Sequence, residues 1–488
     1  MPNSFSVIVP AFNCENVIIS TIKSIIQSID FFQKNYIYAQ QVHAEIIIVD
    51  DASTDNTVSV VREFIANNPL IKIITHTTNK GAGAARNTGV KNSQGEILFF
   101  CDADDIFLPE HIYVCYMLLK GTSEHISSFH LLSENYNLTI TLPTQHFDVI
   151  RSQVKTKDKI HPYWQDAIEK SLPLNLCIRR YCHEFIEGFF EGEIHRQTKT
   201  EDCAYQALLE KFFVIGKTNL ATVEYIRYSN NAFDKQLAKF QLPPGEAEEA
   251  YHIKPELLEQ AYQIEAEHIL YLQRQQYLQK CISQGYQFTQ DWFSIHIPIW
   301  EQLLKNFVNL PNLRFLEIGS WEGRSTCWLL DNILTHESAK ITCIDTFVGS
   351  MEHQNLDVSS LQSLSKRFDF NIAQTGSSHK VEKIVGISQE VLRTLPIDTY
   401  DFLYIDGSHI AADVLEDAVL GWRLVKSQGI IIFDDYNWPK FTDNLTQHPK
   451  LAIDAFLRVF SEKIQVIYQG YQVIVQKKNG SLVLVMLN

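Results

Sequence analysis

The chain has 488 residues, 45% of them hydrophobic, and 42 basic against 57 acidic side chains give it a formal net charge of -15. That length exceeds one ordinary domain, and the acidic balance excludes a protein that neutralises a nucleic-acid backbone. No apolar run approaches the ~20 residues of a membrane-spanning helix, and no basic segment precedes the first apolar run as it would in a signal peptide. The nine cysteines are scattered without a CxxC pair, which predicts reduced core thiols and a cytoplasmic setting. Peripheral membrane association stays open on composition, and the oligomeric state is not readable.

From Ser4 to about Leu119, strand-like and helix-like patterns alternate. Ser6–Pro10 reads as a buried strand and Val17–Ile29 as a helix with apolar residues three and four apart. Glu45–Val49 is a second strand running into Asp50-Asp51, and Asp55 is placed to cap a helix beginning near Thr57. Ile71–Thr75 and Glu96–Phe100 complete an expected, mostly parallel sheet covered by helices. The link Phe31–Ala44 is long, and residues 120–200 are less regular and richer in Ser, His and aromatics. Thr200–Phe212 then reads as a helix and Ala221–Arg227 as a strand.

Gln241-Leu242-Pro243-Pro244-Gly245 interrupts this pattern, and residues 246–281 have the composition of one or two connecting helices. A second alternation starts near Asn312, with strands expected at Arg314–Ile318, Lys340–Ile344, Val381–Val385, Asp401–Ile405 and Gly429–Phe433. Ile464–Tyr468 and Tyr471–Gln476 flank Gln469-Gly470 as a tight antiparallel hairpin. The two alternations share no motif. The expectation is a fusion of two α/β domains, 1–240 and 286–488, joined by a helical linker over 241–285.

Acidic residues concentrate where the strands should end. Asp102 and Asp104 flank one residue after a buried strand, so both side chains can emerge at the crevice where open α/β sheets bind ligands. A Mg²⁺ or Mn²⁺ held there would bridge carboxylates and a diphosphate; alone, such a pair also fits an acidic surface turn. Glu201-Asp202 opens a helix, where an acid serves equally as a cap or as a base facing an acceptor hydroxyl.

Four ordered blocks decide between these readings. Ser6-Val7-Ile8-Val9-Pro10-Ala11-Phe12-Asn13, Ile48 to Thr57, Asn79 to Gly89 and Gly95 to Asp105 closely resemble the GT-A nucleotide-binding half of family 2 inverting glycosyltransferases. The resemblance implies that Pro10, Phe12 and Asp51 contact the base and ribose of a nucleotide-diphospho-sugar and that Arg86 lies near the nucleotide. It also implies that Asp102 contacts ribose or metal and that Asp104 binds the metal. Gly188-Phe189-Phe190-Glu191-Gly192 followed by Glu201-Asp202 resembles the acceptor half of the same family, which implies that Asp202 is the general base. Gly81 and Gly83 would let the backbone approach the ligand.

In the second alternation, Glu317-x-Gly319-x-x-x-Gly323 between strand and helix fits a loop around the methionine end of S-adenosylmethionine, and Asp345 ends the next strand, where it can bond a ribose. Dinucleotide binding competes, but the spacing is not GxGxxG. Asp406 ends the fourth strand and Asp434-Asp435 the fifth, so adjacent strands would gather three carboxylates, either as a cation site or as a solvated acidic rim. His409 is either a base near a bound hydroxyl or a polar helix start.

Asp291-Trp292-Phe293-Ser294, Leu316 to Thr326, Ile344-Asp345-Thr346-Phe347, Ile405 to His409 and Ile431 to Tyr436 resemble class I, Rossmann-like methyltransferases related to the macrocin and mycinamicin sugar O-methyltransferases, over about residues 286–477. The resemblance implies that Glu317, Gly319, Gly323 and Asp345 bind S-adenosylmethionine, that Asp406, Asp434 and Asp435 hold Mg²⁺, and that His409 is the base. Asp434 stands where relatives carry a longer Glu, and Ser427-Gln428-Gly429 replaces a Pro-Gly-Gly turn. The polar stretch Gly349–Lys380 would be a mobile lid. A bifunctional enzyme acting on a small-molecule or glycan acceptor is the leading expectation. The rivals are a methyltransferase acting on an unrelated acceptor, and a fusion in which one domain only binds ligand.

Overall fold

The computed structural model describes residues 4–66, 68–122, 126–156, 162–226, 254–349, 361, 363–438 and 444–479. It divides into two compact units, Met1–Leu272 and Gln273–Asn488. The division falls inside one long helix, Pro255–Ser283, in the part of the chain expected to link the domains. The breaker Gln241–Gly245 lies outside the described residues. Among the described residues, no helix is long and apolar enough to cross a membrane.

The first unit is built on strands β1 (Ser4–Ala11), β2 (His43–Asp50), β3 (Ile71–Thr75), β4 (Ile97–Phe100), β5 (Ile106–Phe107), β8 (Val149–Thr156), β9 (Leu176–Arg179) and β10 (Ile215–Tyr225). They form one sheet in the order β3-β2-β1-β4-β9-β8-β10-β5, while β6 (Ser128–Leu132) and β7 (Asn137–Thr141) make a separate hairpin. β3, β2, β1 and β4 run parallel, as expected; β1, β2 and β4 are apolar runs covered on both faces, and β3 forms the edge. Side chains alternate across β1: Val7 and Val9 join one core cluster and Ile8 the opposite one. Each such fully buried side chain contributes roughly 1.5–3 kcal/mol.

The strands read as parallel, β1 to β4, are so; beyond β4 the sheet is mixed, with β10 still parallel to β8. There β9 pairs antiparallel with both β4 and β8, and β5 antiparallel with β10. The irregular stretch 120–200 supplies four strands. β8 was hidden because Arg151 interrupts its apolar pattern, yet that side chain is buried and its guanidinium donates to Glu210 at 2.7 Å and Gln206 at 2.6 Å. The long link after Ile29 is partly helix, which continues to Asn35. Asp55 accepts the Thr57 N–H at 2.9 Å, at the start of helix Thr57–Ile65.

The second unit carries β11 (Arg314–Ile318), β12 (Lys340–Asp345), β13 (Val381–Val385), β14 (Tyr400–Ile405), β15 (Val425–Phe433), β16 (Ile464–Gln469) and β17 (Val473–Lys477) in the order β13-β12-β11-β14-β15-β17-β16. The first five are parallel and the last two antiparallel. Order reverses at β11, which opens the crevice between β11 and β14 at their C-terminal ends. Of the expected lid, residues 350–360 and 362 lie outside the described residues; the remainder includes helix Leu364–Gln374. Seven of the nine cysteines are buried and all are free thiols.

Candidate active sites

In the first unit, the ends of β1, β2 and β4 open onto a cavity of about 1120 Å³. Pro10, Phe12, Asp51, Arg86, Asp102 and Asp104 all line it, and Asp202 reaches it from the first turn of helix Glu201–Phe212. The turn after β4 is closed by the Asp105 N–H donating to the Asp102 carbonyl at 3.1 Å, and the Thr21 hydroxyl ties the Ala103 carbonyl down at 2.8 Å. With Cys101 and Ala103 buried inward, Asp102 and Asp104 turn to the cavity.

Arg86 organises these acids. Its guanidinium is buried, lies 5.1 Å from the Phe189 ring, and donates from Nη1 to Asp202 at 2.5 Å and from Nη2 to Asp102 at 2.6 Å. Two carboxylates 100 residues apart in sequence are thereby held across one cationic plane, a bidentate use that only arginine offers. Burial pushes the Asp202 carboxyl up to about 7 against the pull of Arg86. Burial and the neighbouring Asp102 push Asp104 up to about 6. Asp105 also rises, chiefly through burial, and one of its oxygens is buried without a hydrogen-bond partner.

Asp51 sits deeper than a residue that only touches ligand. It accepts from His76 Nδ1 at 2.7 Å and from the backbone N–H groups of Lys80 at 2.8 Å and Gly81 at 2.7 Å. It therefore shapes the loop that starts helix Ala82–Lys91, while Gly81 takes φ +95° beneath the Arg196 side chain. Nothing in the sequence spacing marks His76, which enters through tertiary packing.

In the second unit, a cavity of about 840 Å³ lies at the ends of β11, β12, β14 and β15. Gly319, Asp345, Asp406, His409, Asp434 and Asp435 line it. Gly319 has φ +84°, and a Cβ there would stand 1.9 Å from the Asp406 carbonyl, so the loop requires glycine at this position. Asp345 accepts the N–H groups of Trp321 at 2.8 Å and Phe347 at 2.6 Å.

Two residues expected at the cofactor do not line this cavity. Glu317 is fully buried away from the cavity and accepts from Ser320 at 3.2 Å, and also from Ser325 and Thr326, so it braces the strand-to-helix loop from behind. Gly323 caps helix Arg324–Asn332 with φ +80° and packs against Phe368, outside the cavity lining.

The Tyr404 hydroxyl lies within hydrogen-bonding reach of both Asp406, at 2.9 Å, and Asp434, with one proton to donate between them, so these carboxylates lie one bridging group apart. Gln472 donates to the same Asp434 oxygen at 3.0 Å. Burial lifts Asp406 well above the carboxylate range, and Asp434 and Asp435 lift it further. Asp435 faces the other way: it accepts from His409 Nε2 at 2.6 Å and from the Tyr471 hydroxyl at 2.8 Å. Among the described residues, no three His, Cys, Asp or Glu side chains are arranged around one ion. Tyr404 was missed in the sequence, although its place two residues before Asp406, near the end of the strand, could have marked it. Gln472 was not, because only the pairing of Phe433 with Val473 brings it beside Asp434.

Residues 6–182 match the glycosyl transferase family 2, and residues 316–436 match the family described as methyltransferase domain. The chain is 31% identical over 132 residues to the UDP-Glc:alpha-D-GlcNAc-diphosphoundecaprenol beta-1,3-glucosyltransferase WfgD of Escherichia coli, covering 27% of this chain and 47% of that one. It is 32% identical over 127 residues to the poly(ribitol-phosphate) beta-N-acetylglucosaminyltransferase TarS of Staphylococcus aureus, covering 26% of this chain and 19% of that one. It thus spans less than half the length of either relative. An O-methyltransferase from Bacillus cereus solved with SAH aligns over 42% of this chain and 90% of its own, at 15% identity and a TM-score of 0.31. The chain joins an N-terminal glycosyl transferase family 2 domain to a C-terminal methyltransferase domain.

Proposed function

We propose that the N-terminal domain transfers a sugar from a UDP-sugar to a glycan or small-molecule acceptor with inversion, and that the C-terminal domain methylates a sugar hydroxyl with S-adenosylmethionine, both in the cytoplasm. The observation that carries the first half is Arg86 spanning Asp102 and Asp202, which sets the candidate base opposite the acidic pair in one cavity. The acceptor hydroxyl gives its proton to Asp202, whose lifted pKa suits a base working near neutrality. Pro10, Phe12 and the loop braced by Asp51 hold the nucleotide. The relatives' names support a nucleotide-sugar donor, and their β-linked products are what inversion of an α-linked donor gives.

Asp102 and Asp104 fit a Mg²⁺ or Mn²⁺ by chemistry: two carboxylates one residue apart at a strand end, of which Asp104 is pushed up by burial and by Asp102, a cost that a shared cation would offset. Such an ion would neutralise the departing diphosphate.

For the second half, His409 takes the hydroxyl proton as the methyl group arrives, with the cofactor in the crevice beside Gly319 and Asp345. The resemblance assigns a Mg²⁺ to Asp406, Asp434 and Asp435. Of these, Asp406 and Asp434 stand together and would hold it, while Asp435 is turned to His409 and Tyr471, and a bound ion would polarise the acceptor oxygen.

Titration calorimetry of UDP and of S-adenosylmethionine, each with and without Mg²⁺, tests both halves, together with hydrolysis of a panel of nucleotide sugars. Binding of both compounds and turnover of at least one UDP-sugar are expected. A protein that binds neither, or that hydrolyses only non-uridine donors, defeats the corresponding half.

A further inference from the structure

The turn that follows β15 does more than carry acids. Asp435 takes a left-handed conformation, φ +59°, and the Trp438 N–H closes the turn on the Asp435 carbonyl at 3.1 Å. The turn is pinned to the β16–β17 hairpin at two further points. The Tyr436 N–H donates to the Tyr471 carbonyl at 2.9 Å, and the Asn437 side chain donates to the Gly470 carbonyl at 2.9 Å.

This folding-back lays the Trp438 indole flat on the His409 ring, with centroids 4.0 Å apart and planes 15° apart. The same turn supplies the in-plane partner, since Asp435 accepts from His409 Nε2 at 2.6 Å and is itself held by the Tyr471 hydroxyl. A carboxylate only accepts, so Nε2 carries the proton of that bond. One hydrogen bond fixes an imidazole along an axis but leaves it free to rock; a stacked plane removes the rocking. Two orthogonal restraints from one closed turn therefore define the ring completely.

We infer that Trp438 is a positioning residue of the methyltransferase site, whose indole holds the His409 ring in register with Asp435. The inference rests on the reading of His409 as the base, but its test does not use turnover. The probe is the proton magnetic resonance of the imidazole Nε2–H in the full chain with ¹⁵N-labelled histidine, assigned by its loss in His409→Ala. A ring held against a carboxylate protects this proton from exchange with water and gives a distinct resonance.

Trp438→Leu should abolish that resonance, and Trp438→Phe, which keeps an aromatic plane, should retain it. The urea unfolding midpoint, measured on the same samples, should stay near that of the parent and so report an intact fold. If Trp438→Leu disturbs folding, Trp438→Gln serves in its place. A resonance that persists unchanged in Trp438→Leu, that is missing from the parent, or that Phe fails to rescue overturns the inference. A normal methylation rate in His409→Ala would instead defeat the base reading and leave the ring's placement as measured.

Discussion

The two sites gather carboxylates at strand ends in the same way but balance them differently. In the first, a buried guanidinium stands between Asp102 and Asp202, a permanent counter-charge built into helix Ala82–Lys91. In the second, Asp406 and Asp434 share a tyrosine hydroxyl, Asp434 also accepts from Gln472 and lies 3.8 Å from His296 Nε2, and burial, then the neighbouring Asp434 and Asp435, lifts Asp406 well above its usual range. A resident cation lets acids remain charged without a diffusible partner. Neutral donors orient acids without discharging them, so the second cluster should depend more on an added ion.

The sharpest break in that comparison is Asp202→Asn, which keeps an oxygen for Arg86 but removes the proton acceptor. Transfer should fall by ~10²–10⁴-fold with UDP affinity unchanged, as followed by initial rates and calorimetry; a near-parental rate would remove Asp202 from the mechanism. Arg86→Met should come next. It leaves two carboxylates without their buried partner, and because both keep some solvent, the low end of the penalty applies, about 3 kcal/mol in urea unfolding of the full chain. An unchanged midpoint would show that the ion pairs carry no net stability.

In the second site, His409→Ala should slow methyl transfer by ~10²-fold or more without loosening S-adenosylmethionine. Chelation should have the same signature there and should weaken S-adenosylmethionine binding no more than His409→Ala does. Methylation undiminished by both treatments would make the cluster an acidic rim.

The smallest effect is that of pH. With Asp202 near 7, kcat for sugar transfer at saturating donor should rise about tenfold per pH unit below that value and level off above it. Stability runs the other way. The folded-state pKa lies above the unfolded value of 3.8, so the protonated form favours folding, and this contribution is full below about pH 4 and lost as pH rises through about 7. A flat rate profile between pH 5 and 7 would assign the base elsewhere.

Much of both folds was readable because parallel strands buried on both faces are continuous apolar runs. β1 to β4 and β11 to β14 were located to within a residue or two for that reason. β8 and β9 were not, since a buried arginine and a four-residue strand carry too little local signal. The acids at the strand ends were legible from position alone. Glu317 was expected at the cofactor because an acid after an apolar strand looks the same whether it faces a ligand or, as here, bonds three hydroxyl groups beneath the loop.

The sequence by itself determined that this chain holds two α/β units, where their strands end, and which acids and glycines stand at those ends. These follow from periodicity and from the local demands of turns, which act over a few residues. Only the tertiary structure decided what each acid is paired with: Asp202 with Arg86, Asp51 with His76, Asp434 with Tyr404 and Gln472, and Asp435 with His409. Those partners come from strand order and from turns that fold back across the sheet. Charge balance is a property of distances in space, which a linear spacing does not encode.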